Sequence, residues 1–135
     1  MIPSDHTKIA PEHLLALAQP LKNKYKIALF LFSDHSELEK IAEITCGAAY
    51  IAFSKPKNKV LGGILMSKEQ KNITNIVHEC SHATYDFMET VGDKVDLEPE
   101  YKKLKKKDRD EERFCFVLGV LSALAFEAYG NKTVV

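Results

Sequence analysis

The sequence contains no tryptophan and only three cysteines among its 135 residues. Because three thiols, Cys46, Cys80 and Cys115, cannot all pair within the chain, we expect them to be reduced, as in cytoplasmic proteins. The formal net charge is zero, from 19 basic and 19 acidic residues. This balance argues against a general nucleic-acid or membrane-surface role. The longest apolar run, residues 114–126, is too short to span a bilayer.

The chain also lacks internal repeats and low-complexity linkers. Its first residues carry neither the basic flank nor the apolar run of a signal peptide, so we expect no secretion signal. With 45% hydrophobic and 28% charged residues, the chain has the composition of an ordinary globular protein. We therefore predict one domain, residues 1–135, with a single core.

Hydrophobic spacing and turn residues predict an α+β fold. The predicted helices are residues 11–18, 34–45, 68–91 and 110–129, and the predicted strands are 26–32, 49–54 and 60–66. Turn residues at 55–59 make the last two strands an antiparallel hairpin. We expect a small, mainly antiparallel sheet of three strands. It would pack against helix 68–91 and a buried C-terminal helix.

Two helix starts carry capping signals. Asp34 with Glu37, and Ser67 with Gln70, match the capping box, in which the first side chain caps the helix and the fourth residue reaches back. Helix 110–129 is apolar around most of its middle, so we expect it to pack at the centre of the domain. The charged connection 92–113 is expected to be a solvated loop or frayed helix, and a phosphate-binding patch is the alternative.

Residues 78–82 read H-E-C-S-H and form an H-E-x-x-H motif. On a helix, His78 and His82 lie one turn apart, so their nitrogens can bind one Zn²⁺. Glu79 between them can act on a zinc-bound water. Both histidines lie away from the apolar stripe of this helix, on a polar side that also carries Asn75, Glu79 and Asp86. The alternative is a solvated helix face that happens to carry two histidines.

A catalytic zinc site needs a further protein ligand. No histidine follows His82, which excludes the H-E-x-x-H-x-x-G-x-x-H arrangement of the metzincins. Glu111 and Glu112, at the start of the C-terminal helix, are candidates, and the alternative is that they complement the helix dipole. Asp86, one turn after His82, is interpreted as an acceptor that orients a histidine. Direct ligation and plain surface exposure are its alternatives.

The order of elements, together with V-H-E-C-S-H-A-T and the later E-E-R-F-C-F-V-L-G, resembles minimal gluzincin-type zinc metallopeptidases. The resemblance is closer to small metallopeptidases encoded by bacteriophages and prophages, and it covers roughly residues 49–119. It implies a zincin-like fold and location in the cytoplasm of a bacterial host cell. It also implies that His78, His82 and Glu112, with Glu111 as the alternative, are zinc ligands.

The same resemblance implies hydrolysis of a peptide or amide bond. Zinc would polarise the carbonyl and activate its bound water, and Glu79 would move the proton from that water to the leaving nitrogen. In such folds the strand before the motif helix often pairs with extended substrate, so Gly62, Gly63 and Ile64 are the expected substrate edge. Three tyrosines are candidates for stabilising the oxyanion: Tyr85, Tyr101 and Tyr129.

Two other functions are compatible with the sequence. One is a non-catalytic zinc-binding interaction or regulatory module of phage or prophage origin, although the intact Glu79 argues against it. The other is a protein that binds through its basic loop, in which the histidines are incidental. The expected partner is a peptide or protein substrate, with no nucleic acid and no membrane. The sequence does not determine the oligomeric state.

Overall fold

A mixed four-stranded sheet with helices on both faces forms the part of the chain described by this computed structural model, residues 2–43 and 47–130. The strands are β1 (Leu14–Ala18), β2 (Lys26–Phe32), β3 (Ala48–Lys57) and β4 (Val60–Ser67), and the helices are α1 (His35–Ala42), α2 (Ile73–Val91) and α3 (Lys106–Tyr129). Short 3₁₀ turns lie at His6–Lys8, Pro11–His13, Lys68–Gln70, Gly92–Lys94 and Tyr101–Lys103. The α+β class predicted from the sequence is confirmed.

The strand order in the sheet is β1-β2-β4-β3. The central strands β2 and β4 are parallel, and each outer strand is antiparallel to its neighbour. All of β4 is buried, because both faces of the sheet are covered. Helices α2 and α3 cover one face around Ile64, Phe87 and Leu121. Helix α1 and the N-terminal segment cover the other face around Phe30 and Leu38.

The predicted helix at residues 11–18 is wrong. Pro11–His13 is a 3₁₀ turn, and the following segment is β1, paired antiparallel with β2. Leucine and alanine favour a helix, but by differences below about 0.7 kcal/mol per residue, which the pairing of this segment along the edge of β2 outweighs. The described residues therefore form four strands with mixed pairing, not the three mainly antiparallel strands that were predicted.

Helix α2 begins later than predicted. Asn72 caps it, accepting a hydrogen bond from the backbone N–H of Asn75 at 2.8 Å. Ser67 instead ends β4 and makes no side-chain capping bond. Its Oγ is buried and has no hydrogen-bond partner within the described part of the chain. The prediction failed here because Ser67-x-x-Gln70 and Asn72 are both cap-like, and sequence alone does not show where the strand ends.

The other local predictions agree with the structure. Strand β2 has the predicted bounds, and β3 and β4 form the predicted hairpin. Asn58 and Lys59 have positive φ angles of 55° and 60°, as expected for a two-residue turn between twisted antiparallel strands. The Asp34 carboxylate caps α1 and accepts from the backbone N–H of Glu37 at 2.9 Å. The predicted end of that helix at Thr45 lies outside the described residues, as does Cys46.

Helix α3 starts at Lys106, four residues before the predicted start, and is less central than predicted. It buries one stripe, which consists of Val117, Leu121, Ala125 and Tyr129. Phe116 on another side is 47% exposed, so the helix covers the sheet from outside and is not surrounded. Cys80 is buried and Cys115 exposed, and both are free thiols. No helix in the described ranges combines the length and apolar character that a membrane crossing needs.

Candidate metal centre

His78 and His82 project from the same side of α2 into an open groove. Their Nε2 atoms are 3.3 Å apart, and their rings meet at 76° with centroids 4.9 Å apart. Two Zn–N bonds of about 2.0–2.1 Å at a tetrahedral angle place their nitrogens about 3.3–3.4 Å apart. The two nitrogens therefore have the spacing of two ligands in the tetrahedral coordination of one zinc ion. The same separation also suits a single N–H···N hydrogen bond between the rings.

Glu79 lies with the two histidines. The ligating atoms of His78, Glu79 and His82 all fall within 4.8 Å of one another. The sequence predicted Glu79 on the polar side of the helix, but only 7% of the residue is exposed. Burial raises the pKa of its carboxyl group, while the two histidines and the backbone N–H of Tyr50 oppose the rise. A carboxylate with increased proton affinity, beside two histidines that could hold a metal ion, is suited to general-base work.

The groove above these residues has a volume of about 540 Å³ and runs between β3 and α2. One wall is formed by β3 and consists mainly of alanines. The other wall is the histidine side of α2. The lining residues are Ala48, Ala49, Tyr50, Ala52, His78, Glu79, His82, Tyr85, Asp86 and Glu89. The structure thus places the motif in one wall of a groove whose other wall is a sheet edge.

The predicted substrate edge at Gly62, Gly63 and Ile64 is wrong. These residues belong to β4, which pairs with β2 on one side and with β3 on the other. Its backbone N–H and C=O groups are therefore used within the sheet and cannot pair with a peptide. The strand edge that borders the groove is β3. The prediction failed because β4 pairs in parallel with β2, and this pairing joins residues far apart in sequence.

Tyr50 lines the groove and connects β3 to α2. Its hydroxyl donates to Asp86 Oδ2 at 2.5 Å. The pKa of the phenol is raised, first by burial and then by the Asp86 carboxylate. The sequence pointed to Asp86 as an acceptor for a histidine, whereas the structure gives the partner of its Oδ2 as Tyr50. Tyr50 was missed because a tyrosine in a strand is usually a packing residue.

The structure does not bring Glu111 or Glu112 to the histidines. Glu112 lines a separate cavity with Asp96, Glu98 and Tyr101, and Glu111 is exposed. In the described ranges, the group of converging ligand atoms consists of the motif residues themselves. The assignment of Glu112, or Glu111, as the third ligand stays a prediction.

The three tyrosines expected near the oxyanion lie in different places. Tyr85 lines the groove, is 65% exposed and packs on Phe114 with ring centroids 4.7 Å apart. Tyr101 lines the cavity that contains Glu112. Tyr129 is buried beneath the sheet, where its hydroxyl bonds to strand carbonyls. Of the three, Tyr85 is therefore the one that the structure places beside the motif.

No family model, curated protein or solved structure matches the chain. The resemblance to phage and prophage metallopeptidases, and the bacterial cytoplasm that it implies, stay predictions. The case for a metal centre therefore depends on the geometry of α2 and the groove.

Proposed function

We propose that this protein is a zinc-dependent metallopeptidase with a minimal zincin-like fold. The observation that carries the proposal is the pair of imidazole nitrogens 3.3 Å apart, with a buried glutamate between them in sequence and a strand edge beside them. A chance pair of surface histidines does not require a buried carboxylate next to it, since burying a charge is costly without a compensating role. The arrangement supports hydrolysis more strongly than simple surface exposure of two histidines.

In this proposal His78 and His82 hold the zinc ion through Nε2. Bound zinc supplies a Lewis acid that polarises the scissile carbonyl and acidifies water. Glu79 accepts a proton from the attacking water and passes it to the leaving nitrogen. β3 is an edge strand that borders the groove, so part of its outer backbone can pair with an extended peptide, while the Tyr50 N–H faces Glu79. The resemblance implies Glu112, with Glu111 as the alternative, as the third ligand, but neither carboxylate lines the groove that holds the histidines.

The charge of the groove favours basic peptides. Three of its lining residues, Glu79, Asp86 and Glu89, carry carboxylates, which outnumber the two positive charges of the proposed zinc ion, and none of the described lining residues is lysine or arginine. Glu89 is exposed near the C-terminal end of α2 and lines the groove there. We expect substrates with lysine or arginine near the scissile bond to be cleaved preferentially, because complementary charge raises binding and association rate.

Zinc titration by calorimetry tests the metal site. The wild type should bind one equivalent, and His78→Ala or His82→Ala should weaken binding at least about 100-fold, because one protein ligand is lost. His35→Ala is the matched control, since this histidine pairs with Glu39 away from the groove. Glu112→Gln and Glu111→Gln test the predicted third ligand, because only loss of a ligand would lower zinc affinity by about tenfold or more. Wild type that takes up no zinc would exclude the proposal.

Cleavage of a peptide library tests the chemistry. Glu79→Gln should retain zinc and lose about 10²–10⁴-fold in rate, the usual contribution of a general base. Chelation should abolish cleavage by the wild type, and added zinc should restore it. If zinc binds but wild type and Glu79→Gln give identical library profiles, the protein is a non-catalytic zinc-binding module.

A further inference from the structure

Tyr50 spans the distance between the sheet edge and the metal-binding helix. It pairs with Ile64 across the β3–β4 ladder, and Ala52 pairs with Gly62, so Tyr50 and Gly62 share the face toward α2. A Cβ atom at position 62 would overlap the ring and hydroxyl of Tyr50. The tyrosine therefore lies flat across β4, and it can do so because residue 62 has no side chain.

The far end of Tyr50 is held by a charged acceptor. Its hydroxyl donates to Asp86 Oδ2 at 2.5 Å, and hydrogen bonds to carboxylates are short and about twice as strong as neutral ones. Among the described ion pairs, none involves Asp86. Asp86 follows His82 by one helical turn, so this bond joins β3 to the same side of α2 that carries the histidines.

We infer that the Tyr50–Asp86 hydrogen bond is a strut that fixes the width of the groove between β3 and α2. Tyr50 is then a positioning residue. It acts on the reaction by holding the β3 edge at a set distance from Glu79, without touching the metal. The effect of Tyr50 on catalysis rests on the proposed peptidase function. Its role in fixing the groove width is independent of that function.

The strut matters because the two halves of the groove belong to different elements. The histidines and Glu79 are on α2, and β3 contributes to this half of the groove only the Tyr50 backbone N–H that faces Glu79. An extended peptide paired with β3 is placed by the sheet. Its scissile bond therefore meets Glu79 correctly only if β3 and α2 keep their spacing. A displacement of 1 Å between reacting groups can cost about 10²-fold in rate.

Amide hydrogen exchange of residues 48–52, followed by mass spectrometry or NMR, tests the strut without any activity measurement. Tyr50→Phe removes the donor and Asp86→Ala the acceptor from the opposite element. Each should speed exchange about tenfold or more, because edge-strand amides then open more readily. Asp86→Asn keeps an acceptor oxygen and should stay within about threefold of wild type. Tyr85→Phe, which lines the same groove but packs on Phe114, is the control and should leave exchange unchanged.

Zinc binding and steady-state kinetics test the positioning role. In Tyr50→Phe we expect zinc affinity within about threefold of wild type and a fall in kcat of about tenfold or more. KM should change less, because the lost interaction acts on alignment. Unchanged exchange in both Tyr50→Phe and Asp86→Ala would overturn the strut. Faster exchange with wild-type kcat would overturn the positioning role. A wild type that cleaves nothing would defeat the proposed function instead, and exchange would still decide whether the strut exists.

Discussion

Gly62 lies so close to the Tyr50 side chain that a Cβ atom at this position would leave no room for it. Its backbone lies under the Tyr50 ring, and the nearest atoms to an added Cβ include the Tyr50 hydroxyl and the Ile51 carbonyl oxygen. Both walls of this space are therefore fixed, one by an aromatic ring tied to Asp86 and one by backbone. Two consecutive glycines in a strand are only weak evidence for close packing of a neighbouring group. Here the first glycine permits the packing of Tyr50.

Replacing Gly62 with alanine should destabilise the protein by about 1–3 kcal/mol, because overpacking forces the ring or the strand to move. The same substitution at Gly119 is the matched control, since a Cβ there meets nothing within 4 Å. Gly119 lies within α3, so Gly119→Ala should stabilise by about 0.5–1 kcal/mol. Urea unfolding measures both. Equal effects of the two substitutions would contradict the packing of Tyr50 against Gly62.

The first residue of helix α2 depends on where the preceding strand β4 ends. Two cap-like residues precede it, and the one used is Asn72. Ser67 is used by β4, where it pairs with Phe32 and has its backbone N–H bonded to the carbonyl of Gly47 at 2.8 Å. Only the 3₁₀ turn Lys68–Gln70 follows Ser67, and the backbone returns to an extended conformation at Lys71, so the α-helix begins after Asn72. The histidines consequently lie in the second and third turns of α2.

Asn72→Ala should cost about 1 kcal/mol, the usual loss for an N-cap. Ser67→Ala should be nearly neutral or stabilising, since it removes a buried hydroxyl that has no partner among the described residues. Thermal unfolding of the two variants tests whether the helix is capped by Asn72, as in the structure, or by Ser67, as predicted from the sequence. The reverse order of stabilities would restore Ser67 as the cap.

At the scale of the whole molecule, the end of α3 is bonded to the centre of the sheet. The Tyr129 hydroxyl donates to the carbonyl oxygens of Phe30 at 3.1 Å and Ile64 at 3.4 Å, which belong to the parallel strands β2 and β4. Lys71 Nζ donates to the Tyr129 carbonyl at 2.9 Å. These contacts join residues separated by 58 to 99 positions. They fix the C-terminal helix against the sheet that supports the groove.

Tyr129→Phe should lower stability at neutral pH by about 1 kcal/mol, the net value of a buried hydrogen bond. Burial raises the pKa of this phenol well above its ordinary value of 10.0. The hydroxyl therefore stabilises the fold below that value and loses its contribution as pH rises, because the unfolded chain ionises first. Wild type should lose stability more steeply above pH 10 than Tyr129→Phe in urea unfolding. Parallel pH profiles would exclude this role, and Tyr101→Phe, outside the core, is the control.

Features that depend on neighbouring residues were determined by the sequence alone. The spacing of His78 and His82 follows from 3.6 residues per turn, whatever the helix packs against. The β3–β4 hairpin follows from turn residues between two apolar runs, and the Asp34 cap from a local hydrogen bond. These predictions agree with the structure because their physical causes act within a few positions along the chain.

Features that depend on long-range pairing were decided only by the tertiary structure. The leucine- and alanine-rich segment 14–18 became a strand because β2 had an open edge. Because β4 pairs in parallel with β2, the strand edge beside the groove is β3 and not the predicted Gly62–Ile64. Burial of Glu79 and the Tyr50–Asp86 bond likewise require β3 to lie beside α2. Energies of packing and edge pairing exceed local propensities, and they become known only when distant segments are placed together.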